Sequence, residues 1–267
     1  MAEQSTRTSV AETAARAGGA VASQHFRTAH TVETKASKTD LVSAADVAAQ
    51  AAVIDAIRAE YPDDPIVAEE GDGPTAVPDS GPVWLVDPID GTANFVRGFR
   101  LWASCVAVME DGDRLGAATV LPAMGDTYLA EAAAARRNDS PARVSTRTDP
   151  ETFAVAVVGW GGNPVGHRDE YIELSRAVIG RFGDLRRLGS MQAALAFLAS
   201  GELDAVISNP APAPWDSVAG ATLIEAAGGT VTDAAGGPWR HNSRRLVASN
   251  GQAHEAVCDA VPAGQSG

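Results

Sequence analysis

Apolar residues return every three or four positions from Thr8 to about Thr28, where Val10, Ala14, Ala17 and Val21 share a face. That spacing predicts an amphipathic helix despite Gly18 and Gly19. A second helix is marked more sharply. Ser43 precedes a run from Ala44 to Tyr61 in which Val47, Ala51, Ile54 and Ile57 repeat on one face, and Pro62 closes it. Between the two, Val32 to Val42 carries Lys35, Lys38 and Asp40 and reads as strand and loop.

After Pro65 the period changes to short apolar runs bounded by Gly, Pro and Asp: Ile66 to Ala68, Val83 to Val86, Ala103 to Met109, Leu115 to Leu121 and Thr127 to Ala130. Closely spaced runs of strand length predict an antiparallel sheet. The polar, arginine-bearing stretch Ala132 to Thr148 reads as a surface loop leading to a strand at Val144. Beyond it strands and helices alternate. Strands are expected at Phe153 to Val158, Leu185 to Leu188, Ala205 to Ile207 and Thr230 to Thr232. Helices are expected at Asp169 to Ile179, Met191 to Ala199 and Asp216 to Ala227. The expectation is an α+β half over residues 1–150 followed by a layered α/β half over 151–267, with no fixed-period repeat.

The 267 residues suffice for a large core. A net charge of −13 and a pI of about 4.7 argue against a nucleic-acid binder, because phosphate neutralisation needs clustered Lys and Arg. Only two of the 21 basic residues are lysine, Lys35 and Lys38. Arginine preference beside many acids fits either a GC-rich genome or a salt-loving organism, and the composition leaves both open. Cys105 and Cys258 form no disulfide framework and show no CxxC spacing, so a cytoplasmic protein with idle thiols is expected. Met1 to Val10 lacks a basic region followed by an apolar run, so no signal peptide is expected. The longest uncharged stretches fall short of the ~18 apolar residues of a bilayer span, and no membrane partner is expected.

The segment richest in chemistry runs from Trp84 to Phe95, where an apolar strand enters Asp87, Pro88, Ile89 and Asp90 and is followed by Gly91 and Thr92. Hard divalent cations take carboxylate and carbonyl oxygens converging from such a strand end, and N–H groups near Gly91 and Thr92 suit a phosphate. A turn whose aspartates cap the next helix fits the same residues equally well. Two further acidic segments follow the same logic. Glu69 and Glu70 come directly after a short strand, and Asp216 opens a helix in otherwise uncharged sequence. Singly these read as a solvated turn and an N-cap.

Taken together and in order, these segments resemble the inositol monophosphatase family of Mg²⁺-dependent phosphomonoesterases, a superfamily in which Li⁺ commonly inhibits. The likeness rests on Ala68-Glu69-Glu70, on Trp84 through Phe95, on Trp215 through Gly229, and on Lys38 through Asp46, where Ser43 replaces the usual Thr. It spans roughly residues 8 to 258. The resemblance implies a layered αβαβα sandwich of the sugar phosphatase type and a homodimer. It implies two or three Mg²⁺ held by Glu69, Asp87, the Ile89 carbonyl, Asp90 and Asp216, with Asp46, Glu69 and Thr92 acting on the attacking water. Asp90, Gly91, Thr92, Gly189, Ser190 and Asp216 would face the substrate, a small phosphorylated sugar or polyol. The metal and phosphate site would sit in residues 1–150, and 151–267 would complete it and supply the substrate pocket.

Departures from the family pattern bear on specificity. Met191 stands where a small residue is usual, Arg100 replaces a Pro, and the hairpin expected within Ala132 to Ser145 is not recognisable. The stretch Val206 to Pro214 lacks the acid that contacts substrate hydroxyls in animal members. Inositol 1-phosphate is the default substrate and fructose 1,6-bisphosphate its main competitor. Histidinol phosphate and 3′-phosphoadenosine 5′-phosphate are further options. A catalytically silent regulatory protein is the reading from a different class, since some bacterial relatives act in RNA-polymerase-associated complexes.

Overall fold

The computed structural model describes residues 2–27, 32–34, 41–71, 73–131, 133–159, 165–209 and 211–262. Helix α1 (Ala2–His25) leads through the hairpin β1 (Val32–Thr34) and β2 (Leu41–Ser43) into α2 (Ala44–Glu60). Lys35, Lys38 and Asp40 lie outside the described residues. Then come β3 (Ile66–Ala68), β4 (Pro82–Asp90), the short α3 (Thr92–Val96), β5 (Ala103–Glu110), β6 (Asp113–Leu121), β7 (Asp126–Glu131), β8 (Ala134–Arg137) and β9 (Ser140–Pro141). After a 3-10 turn the chain continues as β10 (Ala154–Val158), α4 (Val165–Arg181), β11 (Asp184–Arg186), α5 (Met191–Ala199), β12 (Ala205–Ser208) and α6 (Pro214–Ala226). It ends with β13 (Thr230–Thr232), β14 (Val247–Ser249) and α7 (His254–Cys258).

Strands β3 to β9 form a seven-stranded sheet in sequence order, antiparallel except for the parallel pair β3 and β4. A five-stranded sheet has the order β11-β10-β12-β14-β13, with β10 parallel to β11 and β12, and β14 antiparallel to both neighbours. The period-two pattern of the strands builds the layers. Trp84 and Val86 of β4, with Val106 and Val108 of β5, face Val10, Ala14, Val53 and Ile57 of α1 and α2. Leu85, Cys105, Ala107 and Met109 point the other way, onto α5 and α6, whose opposite side meets Ala156, Val206 and Ala248 of the second sheet. The far face of that sheet, Val155, Val157, Ile207 and Val247, packs on Leu174 and Val178 of α4 and Val257 of α7. The result is the αβαβα sandwich. No described helix is long and apolar enough to cross a membrane.

One strand expectation is corrected, and two elements carried no expectation. No strand forms at Val144; the polar stretch makes the β8–β9 hairpin instead. Its arginines hide the strand pattern because they are paired: Arg137 bonds Asp126 at 2.7 Å, and Arg136 bonds Glu12. Val144 donates its N–H to the Ala227 carbonyl at the end of α6 (3.3 Å). The first element without an expectation is β14, which follows Arg244 and Arg245 closely yet lies between β12 and β13 inside the sheet. The other is α7, a five-residue helix too short to show a period.

Helices α5 and α6 lie between the sheets, and Gly220 permits their close approach: a Cβ there would overlap the Leu195 side chain. Helix propensity favours Gly220→Ala by about 1 kcal/mol, whereas overpacking costs about 1–3 kcal/mol. The packing effect wins. Gly220→Ala is expected to lower the urea midpoint at unchanged slope. A midpoint at or above wild type would show that the two helices separate without cost.

Candidate active site

Strand β4 alternates regularly until Pro88, which has no N–H for the ladder. Pairing with β5 jumps there, from Asp87 opposite Cys105 to Asp90 opposite Ala103, leaving a bulge at the strand's end. Asp87 and Asp90 are both buried. They converge with Asp216 from the first turn of α6, one carboxylate oxygen of each lying within 4.8 Å of the others. Asp216 is the partly exposed member. It also keeps the capping role open to it from sequence, accepting the Ala213 N–H at 3.3 Å.

Glu69 follows β3 and is tied to the end of β4 by its N–H, which donates to the Val86 carbonyl at 3.1 Å. Its carboxyl meets that of Asp87, and it feels the negative charges of Asp216, Glu70 and Asp46. Asp46 is fully buried in the first turn of α2. Thr92 opens α3 and donates its hydroxyl to the Ile89 carbonyl at 3.1 Å, so the threonine and that carbonyl occupy one corner of the site.

Asp90 is anchored from the second half of the chain. Its Oδ1 accepts the Met191 N–H at 3.1 Å and its Oδ2 the Gln192 N–H at 2.7 Å, at the start of α5. Ser190 Oγ donates to the same carboxylate and accepts the Ala193 N–H at 3.1 Å, as the N-cap of α5. The Ser190 hydroxyl is thus engaged inward. Met191 is buried in the core between the sheets. Gly91, with φ 88°, touches the turn around Gly189: a Cβ would come 3.0 Å from Ser190 Cβ and 3.2 Å from the Gly189 carbonyl. Only glycine fits there.

Two residues of this assembly carried no expectation. Asn94 Nδ2 donates to the Leu101 and Leu188 carbonyls at 2.7 and 2.8 Å, pinning the start of α3 to the Gly189 turn. Gln50 grips the acidic turn after β3, accepting the Glu70 N–H at 2.9 Å and donating to the Glu70 carbonyl at 2.7 Å. Its signal was its place one helical turn after Asp46.

Burial drives the electrostatics. Desolvation, then the neighbouring carboxylates, raises Glu69 and Asp87 well above the carboxylate range. Desolvation also raises Asp90, opposed by its hydrogen bonds to Ser190, Gln192 and Met191. Asp216 is pushed up to about 7 by desolvation of its carboxyl and by Asp90. Among the described residues, neither oxygen of Asp87 receives a hydrogen bond from an N–H or hydroxyl donor. Without a cation, the Glu69–Asp87 contact is attractive only if one of the two keeps its proton. The donor set is all oxygen, and burial together with Asp87 and Asp90 pushes the adjacent Cys105 thiol up, so it stays protonated. These residues fit a hard divalent cation.

An αβαβα sandwich with three converging acidic residues at a strand end and a helix start defines a layered α/β protein with a cluster that could hold a metal ion. Residues 3–266 match the model of the inositol monophosphatase family. A Thermotoga maritima protein described as fructose-1,6-bisphosphatase/inositol-1-monophosphatase is 32% identical over 239 residues, 89% of this chain and 88% of that protein. The Nus factor SuhB of Vibrio cholerae is 31% identical over 250 residues, 93% of this chain and 92% of its own. Among solved structures, an IMPase of Thermotoga maritima superposes with a TM-score of 0.84 at 30% identity, covering 98% of this chain and 97% of that one. The chain belongs to the inositol monophosphatase family, whose members are metal-dependent phosphatases.

A carboxyl with a raised folded-state pKa holds protons that the unfolded chain has released, so its contribution falls as pH rises through that interval. For Asp216 the interval runs from the ordinary carboxylate range to about 7. The EDTA-treated protein is expected to lose stability over this range. Saturating Mg²⁺ should therefore raise the melting temperature more at pH 8 than at pH 5.5. Equal Mg²⁺ shifts at both pH values would show that these carboxyls do not hold the protons assigned to them.

Proposed function

We propose that the protein hydrolyses a small sugar or polyol phosphate monoester of the inositol 1-phosphate class, using a metal-activated water. The observation that carries this reading is the convergence of the Asp87, Asp90 and Asp216 carboxylates. Glu69, Asp87, the Ile89 carbonyl, Asp90 and Asp216 would hold two or three Mg²⁺. When bound, these ions supply neutralisation of the phosphate, a water of lowered pKa and stabilisation of the leaving alkoxide.

The chain's own groups do the rest. Asp46 and Thr92 Oγ1 hold and orient the attacking water and the Asp46 carboxylate accepts its proton, with Glu69 beside them. The Thr92 hydroxyl hydrogen is already donated to Ile89, which leaves its oxygen free to accept. The N–H groups of Gly91 and Thr92 bind the phosphate, and the turn at Gly189 and Ser190 faces the alcohol. Residues 1–150 bring most of the metal and phosphate groups, and 151–267 close the site with Asp216 and the α5 turn.

The alcohol is less constrained. Ser208 and Asn209, at the end of β12, are buried and bonded inward: Ser208 Oγ accepts the Leu246 N–H at 2.8 Å and Asn209 N–H donates to Val158 at 2.7 Å. Neither supplies the missing acid. Arg100 is exposed, in keeping with a solvated loop residue. The Thermotoga relative's description supports fructose 1,6-bisphosphate as the competing substrate. The Vibrio relative's description supports a regulatory reading, in which the site binds without turning over.

A phosphate-release panel with Mg²⁺ separates these readings, using inositol 1-phosphate, fructose 1,6-bisphosphate, histidinol phosphate and 3′-phosphoadenosine 5′-phosphate. Release is expected to be fastest with inositol 1-phosphate, and no release from any of them favours the regulatory reading. Asp87→Asn keeps a donor for the Glu69 carboxyl and removes a carboxyl that would be charged only beside a cation. It should lower turnover by orders of magnitude while the metal-free protein melts at or above the wild-type temperature. Near-normal turnover in that variant would refute the metal assignment.

A further inference from the structure

Gln192 has no part in the reading above except through its backbone, yet its side chain is fully buried at the centre of the site. Its N–H donates to Asp90 Oδ2 at 2.7 Å. Its side-chain Nε2 donates to the Trp215 carbonyl at 2.8 Å, and Trp215 immediately precedes Asp216. One residue of α5 therefore grips both the carboxylate of Asp90, at the end of β4, and the first turn of α6, which carries Asp216. The amide orientation follows from its partner, since the reverse would set Oε1 against a carbonyl oxygen.

The cost side points the same way. Among the described residues no donor reaches the buried Gln192 Oε1, which is destabilising. Trp215 lies in the first turn of α6, where its carbonyl is also an acceptor for the helix ladder. An apolar side chain of similar length would thus relieve an unpaired acceptor and leave the carbonyl with its helical partner. Stability alone gives no reason for an amide here.

We infer that Gln192 is a positioning residue that fixes the separation of Asp90 and Asp216, and with it the affinity of the site for its cation. This rests on the metal-centre reading above. Residues that orient metal ligands typically change affinity by about 10–100-fold when replaced.

The test is a Mg²⁺ titration followed by melting temperature and, separately, by phosphate release. It compares wild type, Gln192→Met, Gln192→Asn and Asp216→Asn. Gln192→Met should melt within a few degrees of wild type without metal and need about 10-fold more Mg²⁺ for half of its thermal shift. Its turnover at saturating Mg²⁺ should be largely restored. Gln192→Asn keeps the amide but shortens its reach, so it should show the same displacement, and it decides the matter if the Met variant fails to fold. A wild-type Mg²⁺ midpoint in the Gln192 variants, with a lowered metal-free melting temperature, marks a merely structural residue and overturns the inference. If wild type shows no Mg²⁺-dependent shift, or Asp216→Asn keeps it, the metal-centre reading itself fails and the inference with it.

Discussion

Three carboxylates converge within 4.8 Å in a largely buried site, and much of the surrounding architecture answers that one electrostatic constraint. Two like charges about 4 Å apart near a protein surface repel by roughly 4 kcal/mol, whereas a hydrogen bond to a charged group is worth about 1.5–3 kcal/mol. Asp90 has three such bonds, from Ser190, Met191 and Gln192, and can be held charged by them. Asp87 has no N–H or hydroxyl donor among the described residues, only the Glu69 carboxyl. Its charge must be met by a retained proton or by a cation.

The fold brings the groups together by ending several elements at one place. The bulge at Pro88 shifts the register between Asp87 and Asp90 at the end of β4, and the α5 and α6 N-termini arrive from the second half of the chain. Helix N-termini carry partial positive charge, so both ends favour the carboxylates placed there. The sites that sequence reasoning left as alternatives are used twice. Asp216 caps its helix and joins the acidic cluster; Ser190 caps α5 and bonds Asp90. Capping and ligand placement are compatible because both need an oxygen at a helix start.

The layered architecture was legible because strands β3 to β7 are short apolar runs bounded by Gly, Pro and Asp, and α5 and α6 are longer runs with little charge, buried nearly all round. The face expected on α2 was wrong: Val47 and Ala51 are exposed, and the small residues Ala45 and Ala49 are buried with Val53 and Ile57 instead. The acidic residues were legible because Asp87, Asp90 and Asp216 sit at element ends, where apolar patterning stops abruptly. Strands β8 and β14 were not, since their polarity or shortness masks any alternation; Arg137 looks like a loop residue until Asp126 is placed opposite it. The supporting amides were hidden for a different reason. Gln50, Asn94 and Gln192 resemble ordinary polar residues in sequence, and their importance lies wholly in partners 20, 94 and 23 positions away.

The most direct measurement is crystallographic: Mn²⁺ soaked into crystals in place of Mg²⁺ and located by its anomalous signal. The account predicts peaks bounded by Asp87, Asp90 and Asp216, with Glu69 and the Ile89 carbonyl on the same ions. An empty cluster at saturating Mn²⁺, or peaks confined to surface acids, would contradict it.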